Sequence, residues 1–147
     1  MTEVQFHFNV PDRLGYACRL LRKATRQGVG VTVTAPPATL TRLDRTLWAF
    51  EPTEFVPHVV LRGEGELPPR LRRTPVVLTT QAERGARHRV LLHLGDEPAE
   101  GFESFERLIE IVSADPGERD AARQRWRHYA ARGYAIKRHD RQGEGGA

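Results

Sequence analysis

Apolar and polar residues alternate from Val4 to Val10, with Val4, Phe6, Phe8 and Val10 on one side, the period of a half-buried strand. Pro11 and Asp12 then open a helix whose apolar side carries Leu14, Ala17, Leu20, Leu21 and Ala24 and which Gly28 closes. The unit returns at once. Val29, Val31 and Val33 form a second strand, Pro36 and Pro37 break it, and Leu40, Leu43, Leu47 and Trp48 recur at helical spacing. Two consecutive strand-helix units predict a parallel sheet with right-handed crossovers.

Further along, Glu51 to His58 reads as a loop that presents or tucks an aromatic, Val59 to Leu61 as a short strand, and Arg62 to Arg73 as an exposed, mobile loop rich in Gly, Pro and charge. Pro75 to Thr79 and Arg89 to Leu94 are strands, the second with the near-continuous apolar run of a sheet centre, separated by a polar turn from Gln81 to His88. Phe102 and Phe105 fit a short helical turn. The β-branched residues among Leu108, Ile109, Ile111 and Val112 favour a strand. Asp115 before Pro116 is a good helix start and Gly133 a good stop, so Asp115 to Tyr134 brackets a third helix. A last strand at Tyr134 to Ile136 and a disordered tail from Arg138 to Ala147 complete the pattern, giving one α/β domain over residues 1–137 with helices on both faces of a mostly parallel sheet, and a tail over 138–147.

The third helix has a face to bury, through Ala122, Tyr129 and Ala130, and a face to offer. Arg119, Arg123 and Arg127 recur every fourth residue, with Trp126 beside them; Arg125, two positions from Arg123, falls on another side and drops out of the stripe. Three arginines in register around an aromatic suit an acidic peptide ending in an aromatic residue. They equally suit single-stranded nucleic acid, phosphates on arginine and a base on the indole, and residue types alone do not separate the two. Trp48 with Phe55 forms a second aromatic pair, placed either in the core or as anchors for a partner.

Composition narrows the function classes. With 147 residues the chain buries a core without disulfides, and its single cysteine, Cys18, sits among apolar positions. The lack of a leader pattern and of a bilayer-length apolar run points to a soluble cytoplasmic protein with no membrane partner. A net charge of +4 permits acidic partners without selecting one. Nucleotide-enzyme signatures are missing: Gly28 and Gly30 precede a strand, Gly63 and Gly65 lack a third glycine and a following helix, and no glycine loop ends in Lys-Ser or Lys-Thr. The six histidines are scattered without metal-ligand spacing, His7 and His93 reading as structural. Ser104 and Ser113 lack a nucleophile context, and Glu64 and Glu66 read as a solvated loop pair. No cofactor, metal or catalytic residue is expected.

The words LDRTLW at 43–48, EFVPH at 54–58, PVVLT at 75–79 and RQRWRHYAARGY at 123–134 resemble, in order and spacing, the chi subunits of bacterial DNA polymerase III, accessory proteins of the clamp loader. The resemblance implies a non-enzymatic single α/β domain with nucleotide-binding-like topology and no nucleotide site. It also implies two partners: the psi subunit, and the acidic, phenylalanine-ended C-terminal tail of single-stranded DNA-binding protein, through which DNA is reached only indirectly. Carried over by motif, Arg123 holds the tail's terminal carboxylate, Trp126 walls the pocket for its phenylalanine, and Arg119 and Arg127 meet its acidic residues. Trp48 and Phe55 match the aromatics used against psi or, in some members, against a competing helicase. Trp126 stands where the family often has Tyr or Phe, and His93 where Asn is common. A direct single-stranded nucleic-acid-binding domain is the alternative.

Overall fold

The computed structural model describes residues 1–50, 55–62, 67–84 and 88–141. The elements run β1 (Glu3–Val10), α1 (Arg13–Arg26), β2 (Val31–Thr34), α2 (Pro37–Phe50), β3 (His58–Leu61), β4 (Val76–Thr79), β5 (Val90–His93), β6 (Arg107–Ser113), α3 (Pro116–Ala131) and β7 (Ile136–Asp140). All seven strands join one parallel sheet in the order β3-β4-β2-β5-β6-β1-β7. The crossovers through α1 and α2 move toward the β3 edge and the crossover through α3 moves toward the β7 edge. Crossovers of one hand that travel in opposite directions place their helices on opposite faces of a sheet. Accordingly, Ala17, Cys18 and Leu21 of α1 and Leu40, Leu43 and Leu47 of α2 share one core with Val33, Leu78, Leu92 and Ile111. Ala122 and Tyr129 of α3 share the other with Val4, Phe6, Leu91 and Leu108.

Helix ends follow the local chemistry. Asp12 caps α1 by accepting from the Gly15 N–H at 3.1 Å, and Asp115 caps α3 by accepting from the Glu118 N–H at 3.0 Å. Gly28 and Gly133 leave α1 and α3 at φ 73° and 86°, a region side-chain-bearing residues rarely adopt.

Four departures from the patterning have physical causes. Alternation in β1 fails at its end: Asn9 takes φ 59°, the register slips between His7 and Val10, and Val10 joins the α1/α2 core instead of following Phe6 toward α3. The expected tail begins too early, because Arg138, His139 and Asp140 belong to β7 and pair in register with Phe6, His7 and Phe8 of β1. The hydrophobic alternation that marks a strand is absent from these charged residues, yet their backbone completes the edge of the sheet. Residues 142–147 of the expected tail lie outside the described residues. The segment expected as a mobile loop is packed in its described part: Leu67 is buried beside Val77, with Leu71 of a short 3₁₀ turn against them. Gly63 to Glu66, with the Glu64 and Glu66 pair, also lie outside the described residues, as do 51–54 and 85–87. The polar turn after β4 hides Ala82 and holds His88 half-buried against the Thr32 hydroxyl at 2.9 Å.

Candidate functional site

α3 packs against β6 and β7, and between its outer face and the β1–β7 side of the sheet lies a groove of about 400 Å³. Its floor is apolar, made by Phe6 and Phe8 of β1, Val112 of β6 and Ala122. Trp126 leans on Phe6 with ring centroids 5.1 Å apart and a 49° tilt, a favourable offset arrangement that leaves the indole half-buried. The rim is cationic. Arg119 and Arg123 stand on successive turns of α3, and Arg138 reaches in from β7, its guanidinium 5.2 Å from the Phe8 ring and 5.9 Å from Trp126.

These cations are available. Arg123 touches Asp120 at 3.4 Å, but both side chains are more than 60 % exposed, and solvent screening leaves such a pair little net strength. Among the described residues Arg119 and Arg127 have no ion-pair partner. Of the residues singled out by sequence, the fold therefore gathers Arg119, Arg123 and Trp126 around one groove. Arg127 is exposed one turn further along α3, outside the groove lining. Sequence spacing within α3 had no means of finding Phe6, Phe8 or Arg138, which arrive through the sheet register.

Beneath α3 lies a buried polar network. Arg125 and Glu110 are 3 % and 0 % exposed, with Nε 3.2 Å from Oε1. The approach is close but badly directed, since neither atom has a hydrogen bond of good geometry. The other contacts are better aimed. Tyr129 donates to Glu110 Oε2 at 2.7 Å and accepts from the Ala99 N–H at 3.0 Å, and Arg125 Nη1 donates to the Asp96 carbonyl at 3.2 Å. Burial first, and the Glu110 charge second, hold the Tyr129 hydroxyl far above its ordinary range, so it stays a donor. The network fixes the rotation of α3, which decides what side chains face the groove. Arg125 thus belongs to the buried side with Ala122 and Tyr129. The charge inside the apolar run of β6 was the signal: a buried Glu110 demands a partner.

The second aromatic pair is on the surface at the opposite edge of the sheet. Trp48 and Phe55 are 61 % and 58 % exposed and lie 5.0 Å apart at 30°. His58 supports them from beneath, 5.1 Å from Trp48, its ring held between Asp44 Oδ1 at 2.9 Å and the Val56 carbonyl at 2.8 Å. Two exposed rings stacked on each other, with neighbouring Val56 buried, form an anchor-like patch.

His93, His7 and Cys18 are packed into the fold. His93 is buried between the Thr34 hydroxyl at 3.0 Å and the Glu97 carbonyl at 2.6 Å, and His7 contacts the Tyr16 hydroxyl and Gln5. Burial raises the Cys18 thiol to about 12, assisted by Asp12. Among the described residues no cluster of His, Cys, Asp and Glu could hold a metal ion, and no helix is long and apolar enough to cross a membrane.

Residues 1–137 match the family model described as DNA polymerase III chi subunit, HolC. Curated relatives carry the same description. The DNA polymerase III subunit chi of Pseudomonas aeruginosa is 34% identical over 145 residues, 95% of this chain and 96% of the relative. That of Haemophilus influenzae is 30% identical over 122 residues, covering 82% and 81%. That of Escherichia coli K12 is 30% identical over 95 residues, covering 65% and 62%. Among solved structures, the C-terminal domain of the DEAD-box protein Dbp5 aligns with a TM-score of 0.62 at 13% identity, over 98% of this chain and 92% of that one. At that identity it shares the fold alone.

Proposed function

Because the chain belongs to the DNA polymerase III chi subunit family, a replication accessory group, we propose that its α3 groove receives the acidic, phenylalanine-terminated C-terminal tail of single-stranded DNA-binding protein. In this role the chain is a non-catalytic adaptor that links the clamp-loader assembly to coated DNA. The observation that carries the reading is the junction of an aromatic floor, Phe6, Phe8 and Trp126, with cations on two successive turns of one helix wall. A phenyl ring seated on the floor gains about 1.5–3 kcal/mol from burial. Its α-carboxylate then lies at the rim, where Arg123 binds it bidentately, and Arg119 and Arg127, one turn to either side, attract upstream acidic residues. The Trp48 and Phe55 patch, at the other edge of the sheet, takes psi or another partner.

Direct binding of single-stranded nucleic acid fits the groove less well. Trp126 tilts into Phe6 and is overlain by Arg138, which leaves no flat, open stacking platform.

The test is fluorescence anisotropy of a labelled Asp-rich peptide ending in Phe. Arg123→Ala should weaken binding roughly tenfold to a hundredfold, the range of a lost charge-assisted contact. Amidation of the peptide's C-terminus should cost wild type a similar factor, and salt should weaken binding because rim charges are screened beyond about 8 Å at physiological ionic strength. Equal affinity of wild type and Arg123→Ala would overturn the assignment.

A further inference from the structure

Arg138 stands on the strand side of the groove, opposite the α3 arginines, and differs from them in its surroundings. Lys137 next to it is tied to Glu3 at 3.0 Å, whereas Arg138 has no carboxylate within ion-pair distance among the described residues. Among the described residues it faces aromatic rings. The guanidinium lies 5.2 Å from the Phe8 centroid and 5.9 Å from that of Trp126, inside the range at which a cation is drawn to an aromatic quadrupole. Register places its backbone opposite Phe6, so the side chain spans the floor from β7 toward α3.

We propose that Arg138 is the residue that makes the groove selective for an aromatic, as opposed to a merely apolar, terminal side chain. The inference rests on the groove being the seat of an acidic peptide with a C-terminal ring. Arg123 holds the incoming carboxylate from the helix, with Arg119 one turn away toward the upstream acidic residues. Arg138 brackets the incoming ring from the strand, its guanidinium already within cation–π distance of two rings and placed beside the seat of a third. An aliphatic end of equal volume meets the same floor and the same carboxylate clamp but offers no π-face. Lysine at this position keeps the charge and loses the planar stacking surface.

The experiment compares two tail peptides that differ only in ending with Phe or with cyclohexylalanine, titrated against wild type, Arg138→Gln, Arg138→Lys and Arg123→Ala. Wild type should prefer Phe by roughly two- to fivefold, the worth of an exposed cation–π contact. Arg138→Gln should bring the ratio close to one, Arg138→Lys should lower it while keeping more of the overall affinity than Gln, and Arg123→Ala should weaken both peptides and leave the ratio unchanged. Thermal midpoints of the Arg138 variants should match wild type, as the side chain is exposed on an edge strand. If Arg138→Gln keeps the full preference, or weakens both peptides equally, Arg138 is not the discriminator, while a loss in Arg123→Ala leaves the groove assignment standing. If wild type binds neither peptide, the assignment and the inference fall together.

Discussion

Replacing Arg125 by leucine strands the Glu110 carboxylate. In the native protein that carboxylate is fully buried in the middle of β6, and two groups compensate it: the Tyr129 hydroxyl at 2.7 Å and the Arg125 guanidinium at 3.2 Å. Leucine fills much of the volume but removes the cation that touches Glu110, and it also strips the Asp96 carbonyl of the Arg125 donor. Breaking one partner of a buried pair costs about 3–5 kcal/mol, because an uncompensated charge is left in a low-dielectric interior. For a chain of this length each kcal/mol shifts the thermal midpoint by roughly 3–4 °C, so the variant should melt about 10–20 °C lower. Urea unfolding followed by far-UV circular dichroism measures the loss directly. Adding Glu110→Met to Arg125→Leu removes the stranded charge and should recover at least half of it, since a buried pair and its apolar replacement differ far less than either differs from a broken pair. An Arg125→Leu loss below about 1 kcal/mol, or a double variant no more stable than the single, would refute the claim that this pair anchors α3.

Three further outcomes follow from the burial pattern. His7 is held down to about 3, by burial first and then by the nearby charges of His139, Arg141 and Arg107. The unfolded chain takes up a proton near 6.5 that the native chain refuses, so His7 adds stability above that pH and loses it as pH falls from 6.5 toward 3, at up to about 1.4 kcal/mol per pH unit. His88 is shifted the same way, and His7→Gln should therefore reduce the slope of stability between pH 4 and 6.5 without abolishing it; an unchanged slope removes His7 from the account. Cys18, buried and with its thiol raised to about 12, should resist a thiol reagent at pH 8 in the native state and react at once in denaturant. Acrylamide should quench wild type mainly through the exposed Trp48, so Trp48→Phe, which isolates the half-buried Trp126, should quench less steeply; equal quenching contradicts the exposures described.

The course of the chain was legible where one signal sufficed. Asp115, Pro116 and Gly133 bounded α3 because capping is local chemistry, and the strand-helix alternation of the first fifty residues dictated a parallel sheet. What escaped required knowing what lies across the sheet. Asn9 breaks a perfect apolar alternation through one backbone angle, and periodicity contains no angle. β7 runs on through Arg138, His139 and Asp140, which pair as a strand through their backbone while their side chains spell a disordered tail. The groove shows the same division: Arg119, Arg123 and Trp126 are one helix face, visible as spacing, whereas Phe6, Phe8 and Arg138 reach it only through the pairing of β1 with β7. Arg125 is the instructive case: spacing correctly set it on another side of α3 from the stripe, but only the fold shows that positions 122, 125 and 129 share the buried face and that Arg125 meets Glu110 there.

The same geometry favours the edges of this sheet, over the carboxyl ends of its strands, for the proposed partners. In open parallel sheets ligands commonly bind beyond the carboxyl ends of the strands, against a helix N-terminus. Here that crevice, about 410 Å³ beyond β2, β4 and β5, has Pro36 and Pro37 at the entry to α2, two positions without an N–H to offer a phosphate, and Glu83, Asp96, Glu97 and Glu100 around it. His93, the base nearest the crevice, has both ring nitrogens engaged by Thr34 and the Glu97 carbonyl. A polyphosphate entering there meets four carboxylates and a weakened helix terminus. The cations and exposed rings stand instead beside β7 and β3, the first and last strands across the sheet, separated by six strand spacings or roughly 29 Å. Seven strands held by parallel pairing make a stiff spacer of that width, and the α3 groove and the Trp48 patch lie on opposite faces as well as at opposite edges. A peptide in one and a folded partner on the other therefore would not compete for space, which is what the proposed adaptor role requires.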